Sequence, residues 1–204
     1  MIYTRTSFLV KKLYYSLIWD FNDGSPSLYL TFDDGPTPGI TPAVLDLLDQ
    51  YQTKATFFCL GRNVERFPDI FREIQARGHS TGNHTYSHLK GWKSRNQQYY
   101  DDIELAEKLI PSRLFRPPYG QIKRSQIKYL SQKFKIVMWD VMAWDFDQNK
   151  SKEDCYSIIK NLTRPGSIIV LHDSVKASKN MLYVLPRVLE DFSKKSFSFK
   201  KIEI

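Results

Sequence analysis

Three of the four histidines in this 204-residue chain fall in one short run, Gly78-His79-Ser80-Thr81-Gly82-Asn83-His84-Thr85-Tyr86-Ser87-His88. His84 and His88 are four apart, and on a helix or a tight helical turn that spacing sets both imidazoles on one side. Two histidines and one carboxylate make a common catalytic metal set, with water in the open position. A carboxylate is available in Leu30-Thr31-Phe32-Asp33-Asp34-Gly35-Pro36, where an apolar run ends in a Gly-Pro turn signal. That places Asp33 and Asp34 at the mouth of a strand. Adjacent side chains on an extended segment point opposite ways. One aspartate can therefore bind a metal, with Asp34 the candidate, while the other stays free as a base. Taken alone, the second stretch favours a plain Asp-Asp-Gly turn, and hydrogen-bonded surface histidines are the bland reading of the first. Local pattern leaves both pairs of readings open. His79, next to Gly78, reads as a buried histidine that orders a turn, outside any site.

Other apolar runs also end in ionisable groups. Leu114-Phe115-Arg116-Pro117-Pro118-Tyr119-Gly120 puts Arg116 at a strand end, with two prolines fixing the chain beyond it. Arginine can grip a carboxylate bidentately and hold it ionised. Trp139-Asp140 closes another strand, with Asp145-Phe146 just beyond, and His172 ends the most hydrophobic run, 167–171.

The elements that must carry these groups alternate. Strands are expected at 28–32, 55–60, 79–81, 114–116, 135–139, 167–171 and 197–202. Helices are expected at 41–49, 68–78, 98–110, 125–130, 151–159 and 182–192. Thr41-Pro42 and Ser151 with Asp154 mark helix starts, and Gly78 and Pro111 mark stops. About seven strand–helix alternations argue an α/β fold with a mostly parallel sheet, either a barrel or an open doubly wound sheet. Both place active residues at the carboxyl ends of strands. No linker or repeat divides the chain. Residues 1–26 are an aromatic, basic lead-in packed on the domain formed by 27–204, with a turn at Asn22-Asp23-Gly24.

Composition sets limits. The chain is 42% hydrophobic and 25% charged, as for a globular domain with a sizeable core. No run is long enough to span a bilayer, and no export signal is visible, so the sequence as it stands reads as cytoplasmic. Cys59 and Cys155 form no metal-type pair and no disulfide framework. The net charge of +8 suits a polyanionic partner. The basic residues are scattered, without a recognition helix, an aromatic ribonucleoprotein strand or a zinc finger, so nucleic acid is not expected.

Taken in order, these motifs resemble the polysaccharide deacetylases with a NodB homology domain, carbohydrate esterase family four, over residues 27–192. Thr31-Phe32-Asp33-Asp34-Gly35, His84-Thr85-Tyr86-Ser87-His88, Arg116-Pro117-Pro118-Tyr119, the stretch 139–146 and Leu171-His172-Asp173 carry the resemblance. It implies a distorted (β/α) barrel of about seven strands. It also implies one divalent metal on Asp34, His84 and His88, zinc first, with cobalt, nickel or manganese as substitutes. Asp33 would be the base, paired with Arg116. His172 would be the acid, oriented by Asp145. The Tyr119 backbone would serve the oxyanion, and Pro118, Tyr119, Trp139, Phe146 and Leu171 would line the substrate pocket. The implied reaction is removal of N-acetyl groups from a peptidoglycan- or chitooligosaccharide-type carbohydrate, with release of acetate. The polymer or oligomer could be anionic, and the resemblance points to the periplasm or cell envelope. The stretch 139–146 departs from the family pattern: Met142 stands for an aspartate and Phe146 for a tryptophan, which alters the groove wall. Hydrolysis of another amide or an O-acetyl group on the same scaffold is one alternative. An inactive carbohydrate-binding protein is another, against which the retention of Asp33 and His172 speaks.

Overall fold

The computed structural model describes residues 4–21 and 24–203. Most of the turn expected at 22–24, and the first three residues of the lead-in, lie outside the described residues. In chain order the elements are α1 (Phe8–Leu13), β1 (Ser27–Asp33), α2 (Ile40–Gln50), β2 (Thr56–Cys59), α3 (Gly61–Arg66), α4 (Pro68–Ala76), β3 (Ser80–Asn83), α5 (Asn96–Glu107), β4 (Leu114–Phe115), α6 (Arg124–Leu130), β5 (Lys135–Ile136), β6 (Val141–Met142), α7 (Lys152–Leu162), β7 (Ile168–His172), α8 (Ser178–Lys194) and β8 (Ser198–Phe199).

The sheet runs β5-β4-β3-β2-β1-β7-β6, with β8 added on the start of β1, and its strand pairs are parallel. It is the expected distorted NodB-like barrel, curled and left open. The central strands β1 and β7 are buried along their whole length, as strands covered on both faces must be. Alternation along β1 sends Leu28, Leu30 and Phe32 into the core beneath the helices, while Tyr29 joins a second core inside the barrel. Thr31 and Asp33 share the parity of Tyr29, so they face inward.

The helices close the outer core. Met181, Val184, Leu185, Val188, Leu189 and Phe192 form the buried stripe of α8. Ser151 and Asp154 make the expected capping box at the start of α7. The sequence pattern missed three pieces, α1, α3 and β6, because two residues of strand and six of helix are too short to show a period. The strand expected at 135–139 keeps ladder pairing only over Lys135–Ile136, and the helix expected from 182 begins at Ser178.

The lead-in lies along the open seam. Ile18 bridges Val137 and Arg5 bridges Val141, with backbone bonds Met138 N–H to Ile18 O of 2.7 Å and Thr6 N–H to Asp140 O of 2.9 Å. The buried Asp140 contacts Lys11 of α1, accepts from Ser167 Oγ at 2.6 Å, and lies 3.6 Å from Arg164. Cys59 and Cys155 are both buried and unbonded to each other. Among the described residues no helix is long and apolar enough to cross a membrane.

Candidate active site

β1 delivers both aspartates to the carboxyl edge of the sheet. Asp33 ends the strand, and the backbone at Asp34 turns into the left-handed region with φ +82°. The turn holds through two contacts. Asn63 donates to the Asp34 carbonyl at 2.7 Å, and the Gly35 N–H donates to the buried Asp173 carboxylate at 3.0 Å. Asp173 also accepts from Thr41 Oγ1 at 2.5 Å. A side chain at position 35 would meet Asp173 Oδ2 at 2.0 Å, so only glycine fits there.

The histidines come from the connection after β3, which is not helical. Thr85 and His88 take φ of +65° and +66°, and the loop is tied by Asn83 Oδ1 accepting from the Thr85 N–H at 2.8 Å. Asp102 of α5 accepts from the Tyr86 and Ser87 N–H groups at 2.9 and 3.0 Å. Positive φ, rather than a helical turn, brings the two rings to a centroid distance of 5.1 Å. This corrects the helical geometry expected from the spacing.

Asp34, His84 and His88 converge. One potential ligand atom from each lies within 4.8 Å of the others. Asp34 Oδ1 is 3.2 Å from His88 Nε2 and 3.7 Å from His84 Nε2. The other ring nitrogens are engaged: His84 Nδ1 donates to the Arg116 carbonyl at 2.8 Å, and His88 Nδ1 meets Tyr119 Oη at 3.1 Å. Such partners fix the ring orientation of metal-ligating histidines. Asp34 Oδ1 is buried without a hydrogen bond. A buried carboxylate oxygen left so, facing two imidazole nitrogens, suits a divalent ion, and the donor set of two nitrogens and one oxygen suits zinc chemistry. Burial works to raise the Asp34 pKa, but His88, His172 and His84 outweigh it and hold the carboxyl below its ordinary range. Burial pulls His84 down to about 4 despite Asp33, so its imidazole is neutral and its lone pair free for a metal.

Asp33 is 4% exposed and takes a 2.7 Å bond from Arg116 Nη1. Arg116 is fully buried inside the barrel and is held at every nitrogen. Nε donates to Val137 O at 3.2 Å, Nη2 to Met138 O at 2.9 Å, and Nη1 also to Thr31 Oγ1 at 2.7 Å. Its guanidinium lies 4.1 Å from the Phe58 ring centroid. At the end of β7, His172 is anchored twice to the buried Asp145. Its N–H donates to Oδ2 at 2.7 Å and its Nδ1 lies 2.8 Å from Oδ1. Burial disfavours the imidazolium, but Asp145, with Asp34 and Asp33 adding to it, raises His172 to about 9. His172 is paired in register with Asp33 across β1 and β7, so both emerge at one mouth.

That mouth is a cavity of about 590 Å³ whose lining includes Asp33, Asp34, His84, His88 and His172. Tyr119, Trp139, Met142 and Phe146 also line it, with the Phe146 ring 4.8 Å from that of His172. Pro118 and Leu171 are buried and are not among its lining residues. Thr31 and Asp173 stand inside the quoted motifs but were given no role there, and Asn63, outside every motif, supports the Asp34 turn. His79 stands apart, as expected: it is buried and accepts from the Ala55 N–H at 3.1 Å.

Residues 21–135 match the family model described as polysaccharide deacetylase. The chain belongs to the polysaccharide deacetylase family. A peptidoglycan-N-acetylglucosamine deacetylase of Bacillus cereus is 37% identical over 172 residues, covering 81% of this chain and 62% of that protein. A chitooligosaccharide deacetylase of Azorhizobium caulinodans is 37% identical over 156 residues, covering 72% of this chain and 73% of that one. Among solved structures, a peptidoglycan N-acetylglucosamine deacetylase in complex with 4-naphthalen-1-yl-N-oxidanyl-benzamide superposes with a TM-score of 0.87 at 32% identity. It covers 97% of this chain and 95% of that one.

Proposed function

We propose that this protein removes N-acetyl groups from an N-acetylated carbohydrate of peptidoglycan or chitooligosaccharide type, in a metal-dependent hydrolysis that releases acetate. The observation that carries the reading is the convergence of three elements at one mouth: the Asp34–His84–His88 cluster, the Asp33–Arg116 pair and the His172–Asp145 pair. Binding alone needs neither a base nor an acid beside a metal set. The printed activities of the relatives support the substrate class, and the peptidoglycan name of one supports action at the cell envelope.

Asp34, His84 and His88 would hold one divalent ion, zinc in this reading. When bound, it supplies Lewis-acid polarisation of the acetyl carbonyl and acidifies water. Asp33 takes the proton of the attacking water as oxygen bonds to the acetyl carbon. Arg116 holds that carboxylate in place through its 2.7 Å bond to Oδ1. The Tyr119 N–H, in the turn at Pro118–Gly120 with φ +58° at Tyr119, would serve the developing oxyanion. His172 then gives a proton to the amine nitrogen as the carbon–nitrogen bond breaks, and Asp145 holds the ring with Nδ1 occupied so that Nε2 does the transfer. The chain's division into a lead-in, 1–26, and a catalytic domain, 27–204, belongs to the same reading. It is supported by the lead-in's backbone bonds along the barrel seam.

The test is acetate release by zinc-loaded protein from N-acetylglucosamine oligomers, peptidoglycan, acetylated xylan and small cyclic amides. Release from the amino-sugar substrates, lost on chelation and restored by metal, is the expected result. Turnover confined to cyclic amides or O-acetyl esters would overturn it.

A further inference from the structure

The catalytic cavity carries positive charge that the chemistry above does not use. Arg62 and Arg66, four apart on α3 and so on one face of it, line the cavity with Lys176 from the connection between β7 and α8. All three are solvent-exposed. Among the described residues none of them has a carboxylate within ion-pair distance. Two of them lie beside aromatic rings: Arg66 sits 5.2 Å from the Phe67 ring centroid and Lys176 Nζ sits 5.7 Å from that of Phe146. Glu65, between the two arginines in sequence, is turned to Tyr86, whose hydroxyl donates to it at 2.6 Å.

The acids of the cavity do not balance these cations. Its acidic lining residues are Asp33 and Asp34. The first is paired with Arg116 and the second faces two imidazoles. The cations are also held close to the reacting centre. Asn63, on the same helix as the arginines, bonds the Asp34 backbone at 2.7 Å. Tyr119 lines the same cavity as Arg62 and Arg66. Lys90 adds a cation there, 4.5 Å from the Tyr119 ring centroid. For a neutral sugar, cations gathered without counter-ions repel one another and gain nothing. For a ligand carrying a carboxylate they provide pairing sites and steer its approach.

We propose that Arg62, Arg66 and Lys176 are specificity residues that bind a carboxylate borne on the sugar backbone of the substrate, so that the preferred substrate is an anionic N-acetylated oligosaccharide. The inference rests on the deacetylase reading for the sugar backbone and adds to it the charge of the substrate. It does not follow from the net charge, since these three side chains are singled out by where they stand.

The test uses zinc-loaded full-length protein and one peptide-free oligomer containing N-acetylmuramic acid, as the free acid and as its methyl ester. A neutral N-acetylglucosamine oligomer of equal length completes the set. Calorimetric binding and kcat/KM for acetate release are both measured. Wild type should bind the free acid about fivefold or more tighter than the ester, with the preference shrinking as salt rises. The double variant Arg62→Gln/Arg66→Gln should lose that preference through KM while keeping its kcat/KM on the neutral oligomer, and Lys176→Gln should lose part of it. Equal wild-type affinity for acid and ester, or an equal loss by the variants on charged and neutral oligomers, would overturn the proposal. Because binding is read without turnover, a carboxylate preference with no acetate released would uphold the charge reading and count against the deacetylase one.

Discussion

Asp33 and Asp34 are neighbours in the chain, yet the tightest contacts of their carboxylates go to different partners. Asp33 Oδ1 is bonded by Arg116 at 2.7 Å, while Asp34 Oδ1 lies 3.2 Å from His88 Nε2. The pleat of β1 and the φ of +82° at Asp34 separate them. Asp33→Asn should therefore keep metal and lose turnover, and Asp34→Asn should weaken the metal itself. Metal content by mass spectrometry beside acetate release checks this. Equal metal loss in both variants would refute the division.

His88 brings a nitrogen to the Asp34–His84–His88 cluster from a loop residue at φ +66°. His88→Ala should lower zinc affinity at least tenfold and abolish activity, with the fold retained. Tyr119→Phe removes the hydroxyl that meets His88 Nδ1 at 3.1 Å and should weaken zinc by a smaller factor, within the range for outer partners. Competitive chelator titration reads both.

The pH profile reports on His172. Because its pKa is raised to about 9, the protonated acid persists through neutrality, and activity should fall on an alkaline limb. A bound cation near Asp34 removes part of that carboxylate's support, so the limb should lie at or below this value. Asp145→Asn takes away the largest favourable contribution and should move the limb to lower pH. His172→Ala should cost about a hundredfold in kcat/KM on an N-acetyl sugar, and less on an activated aryl acetate whose leaving group needs no proton. An unmoved limb in Asp145→Asn would return His172 to a structural role. The raised pKa also links to stability. The pair's contribution is complete below the ordinary histidine pKa near 6.5 and is lost as pH rises through about 9.

Position 35 should tolerate no side chain. Gly35→Ala drives a methyl into the Asp173 carboxylate, which would stand 2.0 Å away. Asp173→Ala strips the buried Gly35 N–H of its partner, at a cost of about 1–3 kcal/mol. Both should lower thermal stability and metal affinity together, because the same turn carries Asp34. Unchanged zinc affinity in both would separate the turn from the site.

Asp140 anchors the lead-in. Asp140→Ala leaves the buried Ser167 hydroxyl without its acceptor, while Lys11 and Arg164 keep Asp20, and should cost about 1–3 kcal/mol, the scale for a buried polar group left unpaired. Asp69→Ala removes an exposed pair with Arg72 and should leave the chemical denaturation midpoint where it was.

Much of this protein is set by sequence alone. The apolar runs of β1 and β7, the stripes of the longer helices and the Ser151 cap are local patterns, and each folds as its period predicts. The ionisable residues stand at strand ends in the chain itself, and parallel strands deliver such ends to one edge. Tertiary structure decided the rest. The four-residue spacing of His84 and His88 carries no sign of the positive φ that joins the rings, because Asp102 of α5 pins that loop from outside it. The burial of Arg116 depends on carbonyls from 137 and 138, and on the Thr31 hydroxyl 85 residues away. β6 and the docking of the lead-in arise from pairings between distant segments too short to have a period of their own. Sequence fixes the conformations that neighbouring residues favour. Contacts between distant segments form only when the whole sheet closes, and there the closing sheet sets the geometry.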